Sequence, residues 1–488
     1  MGSPFDPLGA GRFGPYEAAH LLWRAGFGGT WEEVQGLAGK GLAAAVGSLV
    51  DFPPSSELAP DFVTLPGEGN RKPDEREKIS QLRFWWLNRM VNSDRPLEEK
   101  LTLFWHGHFA TSFEDKIEAA YPLWRQNQMF RHFALGPFPA LLSAHIRDPA
   151  MLVYLDNAQS VKDRPNENFA RELMELHSLG VGNYTEADVK GAAHSLTGFS
   201  VNREKWSFHY NAEEHDPAEK TYLGQTGAWS GDDVVRLICA QPACGIFIAR
   251  KLLEYFVYEH PEPELLGQAA ELLRSSGYDF RKFFRVLFSS QLFYSAKARN
   301  AVVKSPVALT IGALKSMRVQ PPAGDVLANA LRHMGQDLFF PPDVNGWTGG
   351  AAWINSNMLL VRYNFANYLL NGVNPDEFHV FDKKTEGSKR RGFVESQRQD
   401  VLHWSPRAQL RDLGIDRKLL TSADIVDYFI NTFLARPVDR ELREQLLGFM
   451  ETDAAGGRRT FSLDDPNFDE RVHDLAHLMM SSPDYQLC

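Results

Sequence analysis

Apolar residues recur along most of this chain at three- and four-residue intervals, a spacing that predicts one helix after another. Tyr16–Gly28 reads as a helix closed by Gly28-Gly29, and Thr30 caps the next one. DEREKISQLRFWWLNRMVNS, from Asp74, reads as a long helix with an aromatic cluster at Phe84, Trp85 and Trp86. The helical pattern lapses over Pro53–Pro73, a loop rich in Pro and Gly, and again over Phe199–Trp229. There, short alternating stretches (FSVN, WSFHY) flank a polar run and predict a small β-hairpin or an ordered loop. Helical spacing resumes at Ser230, and Leu253–Tyr294 is echoed by Val426–Tyr485: Tyr255-Phe256 answers Tyr428-Phe429, and Ser289-Ser290 answers Ser481-Ser482.

The expected fold is therefore mainly α, a large multi-helix domain with a small β-hairpin or ordered-loop insertion near 200–229 and a duplicated three-helix unit. Residues 1–370 read as the helical core that carries the site. Residues 371–421 read as a polar surface excursion, and 422–488 as a C-terminal helical unit packed on the core.

Four stretches depart from a plain structural pattern. Within PNENFARELMELHSLGVG, Pro165–Gly182, a helix expected over Asn166–Leu179 buries Phe169, Leu173 and Met174 on one side. Its other side aligns Asn168, Glu172 and Glu175 at i, i+4 and i+7 beside Arg171. The plain alternative is a solvated face with i,i+4 ion pairs, but the absence of Lys favours a cluster of oxygen ligands or an acid/base pair. In LEEKLTLFWHGHFATSF, His106 and His108 flank Gly107; on an extended backbone the rings share a side, whereas on a helix they diverge by about 200°. The alternative is a pair of hydrogen-bonded core histidines. The run from His209 to Asp216, with Glu213, Glu214 and His215, is the densest group of potential metal or proton-transfer side chains, or else a polar turn. PPDVNGWTGG places Asp343 and Trp347 in a Gly-rich loop suited to a cleft wall or to a tight turn packed by tryptophans, and it fits no phosphate-loop spacing.

Composition narrows the function. A formal charge of −10, with no block of clustered Lys and Arg beyond Lys389–Arg391, argues against nucleic acid. No apolar run is long enough to span a bilayer, and three cysteines at unhelpful spacings give no disulfide framework. As written, the chain reads as cytoplasmic, or as exported if a leader has been removed. Eleven Trp and 33 Phe feed a thick core and also suit a cleft that stacks sugars or flat ligands.

HLLWRAGFG, LFWHGHFATS, PNENFARELMELHSLGVGNYTEADV, HDPAEKTYLG, PPDVNGWTGG and SSPDYQ together resemble the bacterial family known as domain of unknown function 1800. The resemblance implies a mostly helical protein, exported in many members and often encoded beside a sulfatase-like family, and it brings no reaction with it. The sequence differs from the usual family pattern at Gly107 and His194.

The resulting expectation is a hydrolase with a His/carboxylate centre in a helical cleft. His106, His108 and Glu172 would hold a divalent zinc, manganese or iron, with Glu175, His215 and Asp216 as catalytic groups. Asn168, Arg171, Asp343 and Trp347 would contact the substrate, a carbohydrate being one candidate. A non-catalytic scaffold or partner of a sulfatase-like protein is the alternative, and a metal-free glycan hydrolase with paired carboxylates is a further one.

Overall fold

The structure is a computed structural model that describes residues 2–53, 59–65, 74–113, 116–322, 324–371, 404–418, 421–452, 456–459 and 461–488. Among them are 21 α-helices and two antiparallel two-stranded hairpins. The hairpins pair Phe199–Asn202 with Ser207–Tyr210, and Lys220–Tyr222 with Gln225–Gly227, so the sheet content falls inside the 200–229 insertion. Helix starts follow local side-chain chemistry: Thr30, Thr185 and Ser230 each accept the N–H three residues on, and Glu33, Asp188 and Asp233 reach back to the cap. No helix of the described residues is long and apolar enough to cross a membrane.

Both halves of the internal echo contain three helices in the same order. Pro242–Phe256, Pro263–Ser275 and Phe280–Ser289 form the first, and Ser422–Phe433, Arg440–Met450 and Phe468–Met480 the second. The second packs through Phe468–Met480 on the helix Ser356–Asn371, and through Ser422–Phe433 on Trp31–Lys40 and Pro306–Met317. Of the expected polar excursion, residues 372–403 and 419–420 lie outside the described residues.

The charged helix is shorter than its periodicity predicts, running only from Glu167 to Glu175. The amides of Leu176 and His177 both donate to the Glu172 carbonyl, at 2.9 and 3.1 Å, and those of Leu179 and Gly180 to the Met174 carbonyl. This wide final turn, closed by Gly180 at φ 80°, directs the His177 ring into the interior instead of continuing the helix.

Three helices are joined by one buried carboxylate. Glu99, fully buried on the helix Pro96–His108, accepts from Trp86 Nε1 at 2.9 Å and from Arg131 Nε and Nη2 at 2.8 and 2.9 Å, and Arg89 Nε donates to it as well. Trp86 and Arg89 belong to Glu75–Asn92, and Arg131 to Ala120–His132. Burial alone would raise the Glu99 pKa, but the two guanidiniums hold it below its ordinary value. Removing one member of such a set strands the others. We expect Glu99→Gln, which leaves Arg131 buried without its counter-charge, to lower stability by about 3–5 kcal/mol in urea unfolding; a loss below about 1 kcal/mol would show that the clamp contributes little.

Candidate functional site

The helix Pro96–His108 has two working faces. Glu99, Thr102 and His106 point into the protein, whereas Lys100, Leu103, Phe104, Gly107 and His108, at i, i+3, i+4, i+7 and i+8, line a cleft of about 710 Å³. The facing wall comes from distant parts of the chain: Arg24, Glu175, Tyr255, Lys304, Trp347 and Cys488. Backbone pairing builds one edge, since the Val302 N–H donates to the Cys488 carbonyl, the Cys488 N–H to the Val302 carbonyl at 2.9 Å, and the Lys304 N–H to the Gln486 carbonyl at 2.8 Å.

Three cations in this wall are buried. Lys304 is only 2% exposed, and its ammonium lies 3.8 Å from the centre of the Trp23 ring and 4.0 Å from that of Tyr485. Lys100 lies 4.9 Å from the Phe27 ring centre and 5.6 Å from that of Tyr255. Arg24 donates through Nη2 to the carbonyls of Val257 and Ala298, at 2.7 Å each, while its Nε and Nη1 have no partner. None of the three has an ion-pair partner among the described residues. Burial brings the Lys304 amine down to about 7 and the Lys100 amine to about 8, with Cys488 pulling both the other way. A group that reverses this burial penalty would carry negative charge.

Carboxylates and aromatic faces complete the lining. Glu175, Glu254 and Glu259 reach the cleft, and the Tyr184 hydroxyl donates to Glu175. Trp347, Trp353 and Phe247 supply flat apolar surface. Trp347 is placed by the turn Asp343–Gly346, in which the Asp343 carboxylate accepts the Asn345 N–H at 2.7 Å and Gly346 adopts φ 75°. A Cβ on Gly346 would lie 2.1 Å from the Gly107 carbonyl, so the loop sits directly against the helix there.

The residues singled out in the sequence do not form one centre. Of the proposed metal ligands, His106 and His108 lie on one helix and diverge, because the helix continues through Gly107. His106 is fully buried against Trp86, Phe339 and Trp347 and accepts the Phe339 N–H at 3.0 Å. His108 faces the cleft and donates from Nε2 to the His177 carbonyl at 3.0 Å. Glu172 is half-buried, and burial together with Glu175 raises its pKa. Among the described residues no group of three or more His, Cys, Asp or Glu side chains could hold a metal ion.

Of the other candidates, Glu175 and Trp347 line the cleft, and Asn168, Arg171, His215, Asp216 and Asp343 do not. Arg171 pairs bidentately with Glu186 at 2.7 and 2.8 Å on the surface, and Asn168 is exposed. His215 contacts the Thr197 carbonyl at 3.1 Å, while Asp216 accepts from His194 Nδ1 at 2.7 Å, away from the cleft. Burial would raise the Asp216 pKa, but the Ala218 N–H, Lys220 and His194 bring it below its usual range. Lys100, Lys304 and the cleft role of Arg24 escaped the sequence reading. The one available signal was the Lys100, Leu103, Phe104, Gly107, His108 stripe, in which a lysine and a histidine share an otherwise core-like helical face.

Burial has a measurable consequence for the imidazoles. It lowers His106 and His177 to about 3 from 6.5, so the unfolded chain binds more protons than the folded one between those values. Their contribution to stability is complete above pH 6.5 and is lost as pH falls toward about 3, at up to about 1.4 kcal/mol per pH unit for each ring. We expect His177→Gln to flatten the pH dependence of unfolding in that window by about one proton; an unchanged slope would mean that His177 is already protonated in the fold.

Most of the stretches that carry the family resemblance supply this cleft or the packing behind it: HLLWRAGFG brings Arg24, LFWHGHFATS His108, PNENFARELMELHSLGVGNYTEADV Glu175 and PPDVNGWTGG Trp347, while Trp23 and the Tyr485 of SSPDYQ pack on Lys304; HDPAEKTYLG lies elsewhere. No match to the chain was found among curated proteins or solved structures. A family model described as "Protein of unknown function (DUF1800)" matches residues 20–487, nearly the whole length. The chain belongs to that family.

Proposed function

We propose that the protein acts in the 710 Å³ cleft on a carbohydrate that carries an anionic group, as a metal-free hydrolase with Glu175 as its acid/base residue. The observation that carries this reading is the set of Arg24, Lys100 and Lys304, buried in the cleft wall with no ion pair among the described residues, where negative charge at Cys488 offsets their burial only in part. Unpaired buried charge is costly, and an incoming carboxylate or sulfate would satisfy all three at once. Trp347 and Trp353 would stack a sugar ring, and Tyr184 orients the Glu175 carboxyl, with Glu254 or Glu259 as the second acid group of the cleft. The metal-free form is favoured because His106 and His108 face apart.

The binding part is read with a monosaccharide. Galacturonic acid, titrated into the protein and followed by tryptophan fluorescence, is expected to bind, and Lys304→Met to weaken it at least about tenfold, or about 1.4 kcal/mol. Lys304 and Lys100 attract the carboxylate only while protonated, so affinity is expected to fall as pH rises through about 7 and about 8. Neutral galactose should lack that dependence. An unchanged affinity in Lys304→Met would sink the reading. Glu175→Gln should abolish turnover while sparing binding; if there is no turnover to lose, the protein binds its ligand without cleaving it.

A further inference from the structure

A second cavity, of about 450 Å³, lies against Trp347, which lines both. Its walls include Arg76, Arg83, Arg332, Asp337 and Phe340. Asp337 is the one carboxylate in that lining, and it is taken by Arg83 at 2.8 Å; the Arg83 guanidinium also lies 5.1 Å from the Phe340 ring centre. Arg332 forms no ion pair among the described residues, although its charge also acts on Asp337, and its side chain is exposed. Two cavities thus share a single indole wall: the first mixes Arg24, Lys100, Lys251 and Lys304 with Glu175, Glu254 and Glu259, and the second sets Arg76, Arg83 and Arg332 against Asp337 alone.

We propose that the ligand is an acidic oligosaccharide that runs across Trp347, with one anionic group among Arg24, Lys100 and Lys304 and another beside Arg332. This rests on the reading of the first cleft and adds a second subsite to it. Flat rings spaced along the ligand would alternate with charges, as the indole alternates with the two cation clusters. A nucleic acid strand needs a longer basic track than seven cations on an acidic protein can offer. Linking two weakly bound anions in one chain makes the second contact intramolecular, so affinity must rise with chain length.

The experiment is calorimetric titration of the full chain with galacturonic acid and its di-, tri- and tetramers at fixed ionic strength. A parallel series uses sulfated galactose oligomers, to tell carboxylate from sulfate. In the unaltered protein the tetramer of one series is expected to bind at least about tenfold more tightly than its monomer. Arg332→Ala, on the surface and outside the first cleft, should keep monomer affinity and lose the gain with length. A monomer that binds with no gain for longer chains overturns this inference and leaves the first reading standing; monomers that fail to bind overturn both. Retention of the gain in Arg332→Ala, or equal affinity for a single-stranded oligodeoxynucleotide of the same charge, also overturns it.

Discussion

A carboxylate that cannot reach water must be answered by donors, and the burial of Glu99 imposes that condition on three helices at once. Trp86, Arg89 and Arg131 can satisfy it only if Glu75–Asn92, Pro96–His108 and Ala120–His132 hold one mutual rotation. That rotation decides what the next residue does. With Glu99 turned inward, Lys100 is carried about 100° round the axis and into the cleft, followed by Leu103, Phe104, Gly107 and His108 at helical spacing. The structural clamp and the candidate site are consecutive residues of the same helix, and neither can be re-oriented without the other.

The cleft sets buried cations, Arg24, Lys100 and Lys304, among Glu175, Glu254 and Glu259. Rings pack directly on the cations: Trp23 and Tyr485 enclose the Lys304 ammonium, and Phe27 and Tyr255 flank that of Lys100. Ring faces stabilise a cation without neutralising it, so its field still extends into the cavity.

Much of the fold was legible because it is written locally. Capping at Thr30 and Thr185, the lapse of helical spacing over Phe199–Trp229 and the echo between Leu253–Tyr294 and Val426–Tyr485 all depend on near neighbours in sequence. The limits were local too. Gly107 permitted either a bend or a helix, so the His106/His108 geometry could not be fixed until the neighbouring loop was seen resting on it. The Glu167–Glu175 helix ends early because its last carbonyls accept from a wide turn, which apolar spacing does not encode. The cation set was hidden for a different reason: each lysine sits in an unremarkable apolar context, and burial without a partner is a property of the assembled wall. His215 and Asp216, dense in sequence, sit in a hydrogen-bonded corner with Thr197 and His194, away from the cleft.

The pairing of Val302 with Cys488, in a cleft that Arg24 and Lys100 also line, means that the cleft walls are contributed by segments separated by most of the chain's length. Such a site has no early version during folding, since local contacts form first and these close last. It also has no partly unfolded version that still binds. Occupancy is therefore coupled to the cooperative unit as a whole, and whatever free energy a ligand contributes appears as resistance to global opening, growing with the logarithm of ligand concentration. In a cell, an unliganded chain and a liganded one would differ first in lifetime, so the abundance of the protein would itself follow the supply of its ligand.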